Sequence, residues 1–344
     1  MRAMPAKQRL RRLLNVVVAI VAVSVAMPLL AQTPPETQRI SFQIATGPVS
    51  GTYLRVGEMV ATIISNPPGF GRCEDAAVCG PAGLIATSRS SSGSVANAIS
   101  VNSGRVTSAL VQGDIALAAF EGTGPFKAAG ALKNLRAVAR LHDETLHLVV
   151  AARSRIKRLG DLKGKRVAID GAKAATNFTV RSILSAANIQ PGRLRLSFQT
   201  ADQAAADLRD GKLDAYFAIG ASPIRSVDNL VRRGQARIVG IDARVIAALI
   251  KNDPMLTKIE LPAGTYRGSK AVATFNVASI WVVNKSLSDD LVHGIVRSLW
   301  NPLNRNELKR LGSIAASISV EKAAENLPIP LHDGAQRFYA EAGR

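Results

Sequence analysis

The chain has 344 residues, 47% of them hydrophobic and 20% charged, with a formal net charge of +19 and only 4% aromatic residues. The length exceeds what one compact core usually holds. A strong positive field favours anionic ligands and surfaces. The basic residues are nevertheless scattered, and neither zinc-finger spacing nor an RNP-type aromatic motif occurs, which argues against nucleic acid as the partner.

Arg2, Lys7, Arg9, Arg11 and Arg12 precede an apolar run over residues 13–26 that is interrupted only by Asn15 and Ser24. A cationic start followed by a short greasy segment is the layout of a secretory signal over residues 1–31, with cleavage after Ala26 or Ala31. An uncleaved membrane anchor is the alternative. Removal of 31 residues leaves 313, and loss of the five leader cations leaves +14. No later stretch has the unbroken apolar length of a membrane helix; residues 277–283 are strand-sized. The expectation is a periplasmic protein of two lobes. Cys73 and Cys79, with five residues between them, read as a local disulfide in an oxidising compartment, with a metal pair or two free thiols as the other readings. Zinc would need two further ligands and no neighbouring histidine offers one, so no metal is expected.

In chain order, Ile40, Phe42 and Ile44 alternate as in a strand, and a Gly-Pro-Val-Ser-Gly loop over 47–51 follows. Tyr53, Val56, Val60, Ile63 and Ile64 then mark one face of a helix. Ser94 is placed to cap a short helix through Val95 and Ile99, and a further helix is predicted from Ser103 towards Gln112. Gly113 ends it, and residues 115–120 read as an apolar strand after Asp114. The stretch over 88–94 reads as a turn, or as a flexible linker. A second strand over 165–169 enters a loop over 170–175 and a helix near Thr176, with Val180, Ile183, Leu184 and Ala187 inward. Thr200 starts an alanine-rich helix over 201–209, Gly211 ends it, and Asp214 precedes a strand over 215–219. The alternation predicts α/β lobes with largely parallel sheets, whose ligands collect at the carboxyl ends of strands.

Two apolar segments, 147–151 and 278–283, have the character of crossovers between lobes. Lobe one is then expected over 37–146 and 276–344, and lobe two over 147–275, with hinge closure around a solute as the motion. The helix opening at Gly51, Thr52 and Tyr53 presents free backbone N–H groups to a carboxylate, or is no more than a capped helix start. His142 and His147 lack chelating spacing, and with His293 and His332 they read as structural. Acyl-transfer, P-loop, complete dinucleotide and zinc-protease motifs are all missing from the sequence, so no cofactor and no catalysis are expected; a secreted enzyme with a carboxylate pair is the minor alternative.

The stretches 46–53 (TGPVSGTY), 91–97 (SSGSVAN), 112–116 (QGDIA), 147–150 (HLVV), 161–167 (DLKGKRV), 214–217 (DAYF), 261–266 (LPAGTY) and 330–335 (PLHDGA) occur in that order. As an ordered set they resemble the TAXI family of extracytoplasmic solute receptors, which serve one class of TRAP transporters. The resemblance implies the two-lobed type II periplasmic binding protein fold with a hinge and an interlobe cleft. It also implies a small anionic or zwitterionic ligand, such as glutamate or a related dicarboxylate. The implied partner is a membrane permease with fused small and large subunits, served by a monomer; an ABC-type importer or a sensor system is the alternative. Carried over, the ligand contacts are Thr46, Gly47, Ser50, Thr52, Tyr53, Ser92, Asn97 and Glu121 from lobe one. Lobe two contributes Ala175, Thr176, Asn177, Phe217 and Pro223. The loop over 172–176 departs from the family's glycine- and serine-rich pattern, which removes a hydroxyl and restricts backbone approach.

Overall fold

The computed structural model describes residues 39–68 and 78–343. Their first half contains β1 (Ile40–Ala45), α1 (Thr52–Ile64), β2 (Leu84–Arg89), α2 (Ser94–Asn102), β3 (Ser108–Gln112), α3 (Gly113–Glu121) and β4 (Leu135–Ala151). The middle adds β5 (Arg166–Ala168), α4 (Ala175–Ala186), β6 (Arg195–Ser197), α5 (Ala201–Arg209), β7 (Ala215–Gly220), α6 (Arg225–Arg232) and β8 (Ala236–Val239). After these come α7 (Ala243–Asn252), β9 (Leu256–Leu261), β10 (Val272–Asn284) and α8 (Asp289–Leu299). Two short helices, α9 (Arg305–Lys309) and α10 (Val320–Ala323), precede the terminal α11 (Asp333–Glu341). The leader and Cys73 lie outside the described residues, so the signal and the Cys73–Cys79 pairing do too.

Local sequence explains several boundaries. Thr200 accepts a hydrogen bond from the Gln203 amide at 3.4 Å, while the Gln203 side chain accepts from the Thr200 amide at 3.0 Å. This reciprocal capping box fixes the start of α5. Ser288 caps α8 through the Leu291 amide, and Asp289, Asp290 and Arg297 complement the helix dipole at its two ends.

The strands run in the order β2-β1-β3-β10-β4-β7-β5-β6, with β8 beside β4 and β9 beside β10. Pairs β1–β2, β1–β3, β5–β6 and β5–β7 are parallel. Every pair made by β4 and β10 is antiparallel. The sheet is therefore mixed, a correction to the largely parallel expectation: two long strands of opposite direction pass through its middle. Residues 279–283 of β10 pair with β3, whereas residues 272–277 pair with β9. Likewise β4 pairs through its first part with β10 and through residues 145–150 with β7. Glu144, opposite Val277, stands where β4 passes from one neighbourhood to the other.

Helices cover both faces of each half of the sheet. Phe42, Ile44 and Trp281 pack under α1, α8 and α11, while Val111, Ile280 and Val282 pack under α2 and α3. In the second half, Leu148, Phe217 and Phe275 lie under α4 and α7, and Val149 and Tyr216 lie under α5 and α6.

One stretch is the reverse of its sequence reading. The predicted helix towards Gln112 is the fully buried strand β3, and the predicted strand over 115–120 is α3. Short apolar runs do not reveal their period, and here tertiary position decides. Ser108 to Gln112 fit between β1 and β10, and Ile115, Ala116 and Ala119 form a one-sided helical face. Of the two predicted helix–glycine–strand runs, over 103–120 and 200–219, only the second, α5 to β7, is present. The capping position of α2 also moves, to Gly93, while the Ser94 hydroxyl accepts from the Gln112 amide at 3.1 Å.

At the crossing of α11 and α8, a Cβ on Gly334 would overlap the Asp289 carbonyl oxygen. Helix propensity favours alanine by about 1 kcal/mol, but backbone overlap costs about 1–3 kcal/mol. Gly334→Ala is expected to lower the free energy of urea unfolding; an unchanged midpoint would show that the helices separate freely.

Candidate ligand-binding cleft

The glycine loop after β1 delivers the start of α1 to a cleft of about 320 Å³, lined by Pro48, Ser50, Thr52, Arg55, Asp170, Asp202, Pro223 and Arg225 among others. An inner cavity of about 80 Å³ adjoins it, with Gly47, Gly51, Thr52, Tyr53, Asp170 and Ile219 among its walls. Ser92, Gly93, Ser94, Gln112, Glu144, Ala174, Ala175 and Thr176 line it too. Three helices, α1, α2 and α4, thus open onto one small space. Their N-cap residues are Gly51, Gly93 and Ala174, and no side chain caps any of the three. Backbone N–H groups at a helix start need an acceptor, and the aligned dipoles favour an anionic one.

The two halves of the sheet touch across this cleft. Gly93, at φ 102°, stands against the loop before α4, where a Cβ would lie 3.3 Å from Ala174 Cα. Both the left-handed backbone and that close approach require glycine. Thr52 Oγ1 accepts from the Ala221 amide at 3.3 Å, tying α1 to the end of β7. Tyr266 holds the adjoining loop: its hydroxyl accepts from the Ile224 amide at 2.8 Å and lies 2.9 Å from His147 Nε2. Burial lowers the His147 imidazole from 6.5 to about 4, so this strut is uncharged at neutral pH.

The floor is polar and buried. The Tyr53 hydroxyl donates to Glu144 Oε2 at 2.8 Å, and Glu144 is only 4% exposed. Burial raises the Glu144 carboxyl from 4.5 to about 8, against the pull of the Tyr53 hydrogen bond and with help from the charges of Asp114 and Asp143. Asp114, at the start of α3, rises to about 7, through burial and then the neighbouring Asp253. His142 packs edge-on against Tyr53 and is lowered by burial to about 4.

Of the residues carried over by resemblance, Gly47, Thr52, Tyr53, Ser92, Ala175 and Thr176 line the inner cavity, and Ser50 and Pro223 line the outer cleft. Others do not reach it. Thr46 donates to the Arg89 carbonyl, and Asn97 ties together the carbonyls of Thr46 and Leu110 at 2.6 and 2.8 Å. Asn177 bonds the Asp170 carbonyl and Arg181, and Phe217 lies in a hydrophobic core. These four support the walls from behind. Glu121 is exposed at the far end of α3, about 13 Å along a nine-residue helix from the end that meets the cavity. Glu144, Gln112, Asp170 and Ser94 were missed. The signal for Glu144 was an Asp-Glu pair in the strand-like stretch 135–151 next to the apolar residues 148–151, where a charged side chain is seldom buried.

A two-sided α/β sheet with two antiparallel central strands and a cleft at converging helix starts defines a type II periplasmic binding fold. A protein from Bordetella bronchiseptica RB50 shares it with a TM-score of 0.50 at 18% identity, over 89% of this chain and 90% of that one. A Xanthomonas citri protein solved with chloride does so with a TM-score of 0.50 at 12% identity, over 88% and 99%. An alkanesulfonate-binding protein from Xanthomonas axonopodis pv. citri, solved with MOPS, is similar with a TM-score of 0.44 at 15% identity, over 88% and 84%. By sequence the chain belongs to the NMT1-like family, whose profile matches residues 44–343.

Proposed function

We propose that this protein is an extracytoplasmic receptor that captures a small solute in the cleft and hands it, unaltered, to a membrane transporter. The observation that carries the reading is the convergence of three helix starts without side-chain caps on one small cavity. That arrangement suits the carboxylate or other anionic end of a solute, and the exposed guanidinium groups of Arg55 and Arg225 at the mouth add attraction. Thr46, Gly47, Ser50, Thr52, Tyr53, Ser92, Asn97, Ala175, Thr176, Asn177, Phe217 and Pro223 act in this reading as wall or wall support. Two lobes, 37–146 with 276–344 and 147–275, close about the middle of β4 and β10, and the leader directs export to the periplasm.

The transporter we put first is an ABC-type importer. The ordered motifs that resemble TAXI receptors favour a TRAP-type permease as the second reading. Copurification with candidate membrane subunits separates the two.

Calorimetry with a library of small carboxylates, together with X-ray scattering, tests the capture itself. Saturable binding with compaction is expected, and turnover of the bound compound would overturn the reading. Thr52→Ala removes a hydroxyl from the helix start, and with one hydrogen bond worth about 1 kcal/mol affinity should fall about fivefold; the same hydroxyl accepts from the Ala221 amide, so unfolding stability should fall by no more than about 1 kcal/mol. A loss of stability with affinity unchanged would assign Thr52 to packing instead.

A further inference from the structure

The capture reading explains the rim of the cleft but leaves its floor unexplained. Glu144 is buried there with one carboxylate oxygen taken by Tyr53. Among the described residues no cation pairs with it; the nearest arginine along the strand, Arg140, is held by Asp143 at 2.6 Å. Gln112, 4% exposed, lines the same cavity, and its Nε2 has no hydrogen-bond partner. An amide with an uncommitted end can turn either its nitrogen or its oxygen to a ligand.

The groups that face Glu144 share one property. They are Tyr53 from α1, Asp114 at the start of α3, His142 and Asp143 on β4 itself, and Asp170 across the cavity before α4. From β10 the opposite residue is Val277, which carries no charge. None of these groups is a cation at neutral pH, since burial keeps His142 neutral. The charge missing from the floor is positive, while the rim above it favours a negative one.

Resting on the capture reading, we infer that Glu144 and Gln112 form a subsite for the protonated amino group of a zwitterionic solute whose acidic end meets the helix starts. An ammonium group carries three donors, enough for the free Glu144 oxygen and the Gln112 amide oxygen. Its entry ionises the carboxyl that burial otherwise holds protonated up to about pH 8. The proton leaves to the buffer as the ammonium takes its place, so charge balances inside the cavity. Below that pH, affinity should rise about tenfold per pH unit and level off above it.

The test is calorimetry of the full mature protein with two matched pairs, L-glutamate with glutarate and L-alanine with propionate. Each titration is run at pH 7 and pH 9 in phosphate and in Tris, whose different ionisation heats report proton release. At least one amino acid is expected to bind tenfold or more tightly than its amine-free partner, with release of close to one proton at pH 7 and almost none at pH 9. Glu144→Gln should abolish both the amine advantage and the proton release. Equal affinity within both pairs, without proton release, overturns the subsite and leaves solute capture standing. Failure of all four compounds to bind counts against both. Should the variant not fold, the proton count of the unmodified protein still decides.

Discussion

Glu144→Gln should gain stability on the unmodified protein steadily between pH 4.5 and pH 8. Glu144 titrates near 4.5 when unfolded and about 8 when folded. A raised acid pKa means that the folded state holds the proton more tightly, so its stabilising contribution is complete below pH 4.5. As pH rises, the unfolded chain ionises while the folded one does not, and about 1.4 kcal/mol per pH unit is lost. Across the window this approaches about 5 kcal/mol as an upper bound; above pH 8 both states are ionised and the difference is constant. Glutamine keeps an acceptor for Tyr53 and has nothing to titrate. Urea unfolding of both proteins at pH 4.5, 6.5 and 8.5 reads the difference directly, and a pH-independent difference would mean that the carboxyl is solvated after all.

The unmodified protein should hide much of this on its acid side. His142 and His147 are lowered from 6.5 to about 4, so they withdraw stability as pH falls from 6.5 to 4. Over that range the raised carboxyls of Glu144 and Asp114 act in the opposite direction, and the profile is nearly flat. Above pH 6.5 only the carboxyls remain in play, and stability should fall.

Trp281→Ala is expected to cost about 3–5 kcal/mol, the usual penalty for emptying a large buried aromatic site. Trp281 is fully buried at the centre of the sheet, opposite Leu110 on β3 and Ala139 on β4, and meets Phe42 edge to face at 6.2 Å. Its neighbours come from several separate elements, among them α1, α8, β1, β3 and β4, so no single shift can refill the space. Trp281→Phe should cost far less, because the indole Nε1 has no hydrogen-bond partner and its removal leaves no polar group stranded. The two variants compared by guanidinium unfolding separate volume from hydrogen bonding; equal losses would indicate that the indole nitrogen has a partner.

The sequence reading worked where pattern and chemistry agreed locally. The Thr200 cap, alanine-rich α5 and β7 after Asp214 lie where predicted, because a capping box and a glycine stop act within a few residues. The face of α1 likewise follows from 3.6-residue spacing alone, and Tyr53, Val56, Val60, Ile63 and Ile64 are all buried. At β3 and α3 the same reasoning failed, since apolar runs of three and six residues, 109–111 and 115–120, satisfy either period. In the site, Thr52, Tyr53 and Thr176 were legible from loop and helix grammar. Glu144 and Gln112 were not, because they meet only after strands from distant parts of the chain pair across β10.

By itself, then, the sequence determined an α/β chain, a glycine-loop helix opening at Thr52 and a second one at Thr176. These are local consequences of dihedral preference, capping and period. Only the tertiary structure decided that the central strands are antiparallel, that α2 joins α1 and α4 at one cavity, and that a buried acid forms its floor. Strand direction and side-chain convergence depend on contacts between residues far apart in the chain. Burial itself, which moves Glu144 to about 8, exists only once those contacts have formed.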